Sequence, residues 1–145
     1  MPTMPFGLKI SIINRAFRKS LDEKASTMGL TSVQLRVLGS VSRLEAAGQR
    51  EIHQNDLERI EQVSHPAMTK MLQRLESKGW ISCAPSSRDR RYKAVSCTPQ
   101  SRGIHQVILE QDAEALAELC AGFTPDQKQQ MQTLADMLLA NIAKQ

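Results

Sequence analysis

Leu8, Ile12, Ile13, Phe17 and Leu21 fall on one helical stripe, which predicts a helix from about Gly7 to Met28 stopped at Gly29. A second stripe, Leu35, Leu38, Val41 and Leu44, begins behind Thr31 and Gln34 and runs out near Gly48. Thr31 and Gln34 have the order of a capping box, in which each side chain satisfies a backbone N–H that the first helical turn leaves without a partner. Between Ile52 and Lys78 the helical period breaks once, at Gln62 and Val63. That gives two short helices, Gln54 to Glu61 and Ser64 to Lys78, with Leu57, Ile60, Val63, Met68, Met71, Leu72 and Leu75 expected to pack them together. Two helices joined by so short a turn form the corner of a helix-turn-helix, although many helical proteins contain such a corner.

The pattern beyond this corner is more specific. Gly79 ends the second helix, and Trp80 to Ala84 and Lys93 to Thr98 read as short strands. Between them lies Pro85-Ser86-Ser87-Arg88-Asp89-Arg90-Arg91-Tyr92, a polar, arginine-dense hairpin with the look of a wing. Thr98 before Pro99 is read as an N-cap with proline at the first helical position, and Thr124-Pro125-Asp126-Gln127 repeats the device with a fuller capping box. They are expected to open two terminal helices, Pro99 to Cys120 and Pro125 to Ala143. On the last, Met131, Leu134, Leu138 and Ile142 form a stripe that Met137 and Leu139 widen beyond one buried face, so it is read as facing a partner.

Charge sharpens this reading. The net charge is +4, but from Arg59 to Lys93 eight basic residues (Arg59, Lys70, Arg74, Lys78, Arg88, Arg90, Arg91, Lys93) stand against Glu61, Glu76 and Asp89. From Gly103 onward two lysines face six acids. A basic middle and an acidic end describe a polyanion-binding module attached to a separate scaffold.

Other classes are disfavoured. His53, His65 and His105 are isolated, and there is no metal cluster, phosphate-binding glycine loop or nucleophile elbow, so neither catalysis nor a cofactor is expected. Aromatic residues make up 3%, too few for the stacking platforms of single-strand RNA readers. Lys9, Asn14, Arg15 and Arg18 interrupt the apolar start, so no secretory segment or membrane span is expected. Cys83, Cys97 and Cys120 are odd in number and lack metal-ligand spacing, which fits a reducing, cytoplasmic setting. With 145 residues and no linker or repeat, one domain is expected.

The segments LTSVQLRVL, NDLERIEQVSHPAMTKMLQRLESKGWI and SSRDRRYKAVSCTPQSRG resemble the MarR family, the multiple-antibiotic-resistance type of transcription regulators. Leu72 through Ile81 is similar to the end of that family's recognition helix. Asp89 with Arg91 resembles its D-x-R wing signature, and Val95 to Thr98 with Gly103 its strand and following helix entry. The chain departs from the pattern at His53, Pro66 and Cys97. The resemblance implies a mainly α winged helix-turn-helix, with a DNA-binding lobe over about 31–98 and dimerisation helices over about 6–28 and 99–143.

An α-helix fits the major groove and offers its first turns to base edges. Ser64 is expected at a phosphate, His65 and Lys70 at bases, Pro66 and Ala67 against a thymine methyl, and Thr69 and Arg74 at phosphates. The resemblance implies that Arg91 enters the minor groove, where A·T-rich DNA concentrates negative potential. Arg88, Arg90 and Lys93 are assigned to phosphate neutralisation, and Asp89 to architecture, holding a nearby arginine. One recognition helix reads too few base pairs, so a homodimer on a near-palindrome is expected, its interface made by the terminal helices and the Phe6 to Leu21 stripe. The resemblance also implies repression relieved by a small-molecule effector bound between the dimer helices and the DNA-binding lobe. Phe17, Met28, Leu35 and Trp80 are candidates to line that pocket, against the plainer reading of core packing. Cys83 and Cys97 stand at mirrored positions about the wing tip, which raises a redox pairing as a variant. The main competitor is a winged helix used for protein interaction or architecture without reading sequence.

Overall fold

The computed structural model describes residues 2–144. Its order is α1 (Phe6–Thr27), α2 (Ser32–Ala46), β1 (Ile52–His53), α3 (Gln54–Glu61), α4 (His65–Ser77), β2 (Ile81–Pro85), β3 (Lys93–Cys97), α5 (Ile104–Leu119) and α6 (Pro125–Ala143). The three strands form an antiparallel sheet in the order β1-β3-β2. The expected class, mainly α with a small winged sheet, is the one observed.

Local chemistry explains most boundaries. Thr31 and Gln34 make the reciprocal capping bonds that start α2, at 3.1 and 2.9 Å, and Thr124 with Gln127 does the same for α6. Ser64 caps α4 by accepting the Ala67 N–H at 3.3 Å. Pro66 falls in the first turn, where a missing N–H breaks no helical bond. Gln62, in the left-handed region at φ 54°, turns the chain between α3 and α4.

The core lies between α2, α3, α4 and the sheet. Leu35, Val37, Leu38, Val41, Leu57, Met68, Leu72 and Leu75 are fully excluded from solvent, and Ile52, Ile81 and Val95 nearly so. Gly39 lets α2 and α5 approach closely, since a Cβ at that position would stand 2.2 Å from Cδ1 of Ile108.

Three expectations need correction. Ile60 is 41% exposed rather than packed in the corner. The inward line of α3 runs through Gln54, Leu57, Glu58 and Glu61, and Ile60 lies about 100° off it. The helix expected from Pro99 begins at Ile104. Thr98 does not cap it; its hydroxyl donates to the Gly79 carbonyl at 2.7 Å, and Ser101 Oγ donates to Trp80 O at 2.6 Å. These side chains satisfy carbonyls at the exit of α4, and Gly103 at φ 87° separates that turn from α5. The edge strand β1 was not foreseen, because Ile52 pairs with Val95 and His53 with Ala94, far along the chain.

Candidate nucleic-acid interface

Met68, Leu72 and Leu75 anchor α4 in the core, so the opposite side of the helix faces solvent. Ser64, His65, Pro66, Ala67, Lys70 and Arg74 are exposed there, and Thr69 is half-buried. The β2–β3 hairpin exposes Arg88, Arg90 and Arg91, with Asp89 and Lys93 half-buried. His65 and Thr69 meet Arg91, Tyr92 and Lys93 around one cavity of about 470 Å³, which Gln54 and Asn55 close from α3. Arg90 faces a second hollow under the hairpin, beside Glu76 and Cys83. Ser64, Pro66, Ala67, Lys70, Arg74 and Arg88 do not line the shared cavity.

The start of α4 is held by a polar cluster. Gln54 is buried, and its amide donates to Thr69 Oγ1 at 2.8 Å and to Glu58 Oε2 at 3.0 Å. His65 Nδ1 lies 2.8 Å from the same Glu58 oxygen. A carboxylate only accepts, so Nδ1 carries the proton of that bond and Nε2 is the ring nitrogen outside it.

The wing is held by another carboxylate. Glu51 accepts hydrogen bonds from Ser86 Oγ at 2.5 Å, from Ser87 N–H at 2.8 Å and Oγ at 2.6 Å, and from His53 Nε2 at 2.9 Å. Those donors, Ser86 foremost, hold the Glu51 carboxyl far below the usual carboxylate range. At the tip, Asp89 receives Arg91 Nε at 3.1 Å and Nη2 at 2.7 Å, a two-pronged ion pair. The pairing lowers the Asp89 pKa and raises that of Arg91. Arg91 is thus shaped by Asp89 while its charge faces solvent.

Glu51, Gln54 and Glu58 were missed in the sequence. Glu58 carried a faint signal, an acid one helix turn from Gln54 on the same face. Glu51 carried none, since Ser86 and Ser87, which make most of its bonds, come from a hairpin about 35 residues away.

The cysteines do not form the pair their mirrored positions raised. Cys83 stands opposite Val95 and Cys97 opposite Ile81, so the two are diagonal, and both are free thiols. Burial, then the Glu76 charge, pushes the Cys83 thiol up to about 11, and burial also raises Cys97. Neither is a reactive thiolate near neutrality.

The candidate pocket residues divide as well. Leu35 lies inside the core, and Met28 and Trp80 pack against it. Phe17 opens on a cleft between α1 and α5, with Leu21, Arg36 and Ile108. Arg36 and Ile108 also line an adjoining cleft of about 230 Å³ with Gly39, Ser40, Arg43 and His105.

Surface apolar groups concentrate on the terminal helices. Phe6, Leu8, Ile10, Ile12 and Ile13 of α1 are exposed, as are Leu134, Met137, Leu138, Leu139 and Ile142 of α6. No described helix is long and apolar enough to cross a membrane.

Comparison with known proteins places these features. Residues 28–91 match the family model described as MarR family. The multiple antibiotic resistance protein MarR of Salmonella typhimurium is 29% identical over 137 residues, covering 94% of this chain and 92% of its own length. MarR of Escherichia coli is 31% identical over 109 residues, with 72% of each chain covered. The crystal structure of a mutant E. coli MarR complexed with operator DNA superposes with a TM-score of 0.75 at 28% identity, covering 94% of both chains.

Proposed function

The chain belongs to the MarR family of transcription regulators, and we propose that it is a repressor that binds a near-palindromic DNA operator as a homodimer. The observation that carries this reading is the meeting of His65 and Thr69 of α4 with Arg91 and Lys93 of the wing around one basic concavity. Its E. coli relative has been crystallised on operator DNA with the same fold. The protein acts in the cytoplasm, by binding rather than catalysis.

In this reading α4 enters the major groove. His65, through Nε2, and Lys70 address bases, while Pro66 and Ala67 offer apolar surface to thymine methyl groups. Ser64 brings the α4 N-terminus to a phosphate, and Thr69 and Arg74 hold the backbone. Arg91, braced by Asp89, reaches the minor groove, and Arg88, Arg90 and Lys93 neutralise phosphates beside it. The exposed apolar stripes of α1 and α6 cover one another across the dimer axis.

Selection of bound duplexes from a random DNA pool tests the function. An inverted repeat with half-sites about one helical turn apart, bound with steep salt dependence, is the expected product. Weak binding common to all sequences would instead support a protein-interaction or architectural role. On the selected site, Arg91→Ala is expected to weaken binding about ten- to hundredfold and relax preference at the flanking A·T pairs. Arg74→Ala is expected to weaken all duplexes alike and to flatten the salt slope by about one unit. Footprints and titrations of both variants check this; identical behaviour of the two would remove the division between reading and holding.

The effector site is assigned to the cleft along α5. Ser42 Oγ accepts the Gly103 N–H at 3.0 Å and lies 2.8 Å from His105 Nδ1, which holds the imidazole against α2. His105 lines this cleft with Arg43 and an apolar wall of Ile108 and Leu109. Glu61 also lines the cleft and pairs with Arg36 at 3.0 Å, so Arg43 is the cation assigned to meet a small organic carboxylate there. Arg43→Ala is expected to leave operator binding intact and to raise the concentration of an aromatic carboxylate needed for release about tenfold. Unaltered release by that compound in the variant would move the site elsewhere.

A further inference from the structure

We infer that Glu51 is a positioning residue for DNA binding, a clamp that fixes the wing to β1 before any duplex arrives. The inference rests on the reading of the wing as a DNA contact, but the clamp itself is visible in the free protein. Glu51 precedes β1, and its carboxylate gathers Ser86 Oγ, Ser87 N–H, Ser87 Oγ and His53 Nε2. Ser86 is 2% exposed, and its oxygen faces the Arg88 and Asp89 N–H groups at 3.2 and 3.4 Å. The outgoing side of the wing is therefore tied, through one buried hydroxyl, to a fixed acid.

The returning side is tied to the same residues. Tyr92 O accepts from Ser86 N–H at 2.9 Å, Tyr92 N–H donates to Asp89 O at 3.0 Å, and the Tyr92 ring lies 5.9 Å from that of His53. Arg91 sits between these fixed points, its guanidinium turned by Asp89. A hairpin of this length without such ties would have to be ordered on the DNA, at the expense of affinity.

The sign of the charge makes the point testable. A carboxylate near phosphates repels them, so on charge alone removing it should tighten binding. The clamp requires the opposite. Glu51→Gln is expected to weaken operator binding roughly tenfold despite the more positive surface. Ser87→Ala, which keeps the charge and the backbone N–H but removes the hydroxyl donor, is expected to move affinity in the same direction by a smaller factor. In an Arg91→Ala background the Glu51→Gln effect should shrink to below about threefold, because the two act through the same contact. Without DNA, amide exchange over Ser87 to Tyr92 should accelerate about tenfold in Glu51→Gln while the core amides hold.

Unchanged wing exchange in Glu51→Gln would overturn the clamp. Faster exchange with equal or tighter operator binding would overturn its role in DNA recognition. Loss of the same size with and without Arg91 would overturn the route through the wing arginine. If the wild-type protein gives no footprint beneath the wing and Arg91→Ala binds as well as wild type, the reading of the wing as a DNA contact falls, and with it the positioning role; the exchange result would then speak only to the shape of the free hairpin.

Discussion

Leu134→Glu combined with Leu138→Glu is expected to give a folded monomer that has lost operator binding by roughly a hundred- to ten-thousandfold. None of the described residues of α6 is buried, and Leu134 and Leu138 are 59% and 49% exposed. The single chain's core does not use them, so placing charge there costs the fold little. The dimer, by contrast, joins two half-site contacts into one event, and losing that linkage removes an effective concentration worth about 10² to 10⁴ in affinity. Sedimentation, circular dichroism and a binding titration on one preparation decide the matter. A double variant that still sediments as a dimer would place the interface away from α6; a monomer with full operator affinity would show that one recognition helix and one wing suffice.

Leu72→Ala is expected to lower unfolding free energy by about 3 kcal/mol and the midpoint temperature by about 10 °C. Leu72 is wholly buried in the core with Leu57, Met68 and Leu75. The cavity left by three missing carbons would lie directly beneath the face of α4 that carries Lys70 and Arg74. Thermal unfolding checks the magnitude. A loss under about 1 kcal/mol would mean that α4 and the sheet close the void, which would move the exposed side chains. If α4 is the reading surface proposed above, operator specificity should loosen in this variant before the protein unfolds at its working temperature.

Periodic side chains made most of the fold legible. The stripes of α2 and α4 and the capping pairs Thr31–Gln34 and Thr124–Gln127 are local signals, and the structure uses them as local devices. Failures occurred where distant segments decide. Thr98 has the chemistry of an N-cap but is drawn to the Gly79 carbonyl, which nothing near it in sequence announces. β1 is too short to have a period of its own and exists because Val95 and Ala94 are there to receive it.

The site shows the same division. The charged side chains that face outward, from Lys70 to Lys93, could be picked from the basic run and from a helix-turn-helix followed by a hairpin. The groups that hold them could not. Glu51, Gln54 and Glu58 are ordinary polar residues until folding brings Ser86, Thr69 and His65 within reach. Asp89 was legible, since an acid two residues from an arginine in a tight basic loop has few other roles; its oxygens receive the Arg91 guanidinium and also the Arg91 N–H at 3.1 Å.

The missing side chain at Gly39 has a mechanical meaning. Ile108 rests on bare backbone there through the end of its side chain, so α2 and α5 sit closer together than any side chain at position 39 would allow. Anything that pushes α5 sideways also pushes α2, and α2 is packed into the core that carries α4. The cleft along α5 is walled by these same two residues. If the cleft takes the proposed effector, a guest wedged beside Ile108 would work on the short arm of a lever whose long arm ends at α4.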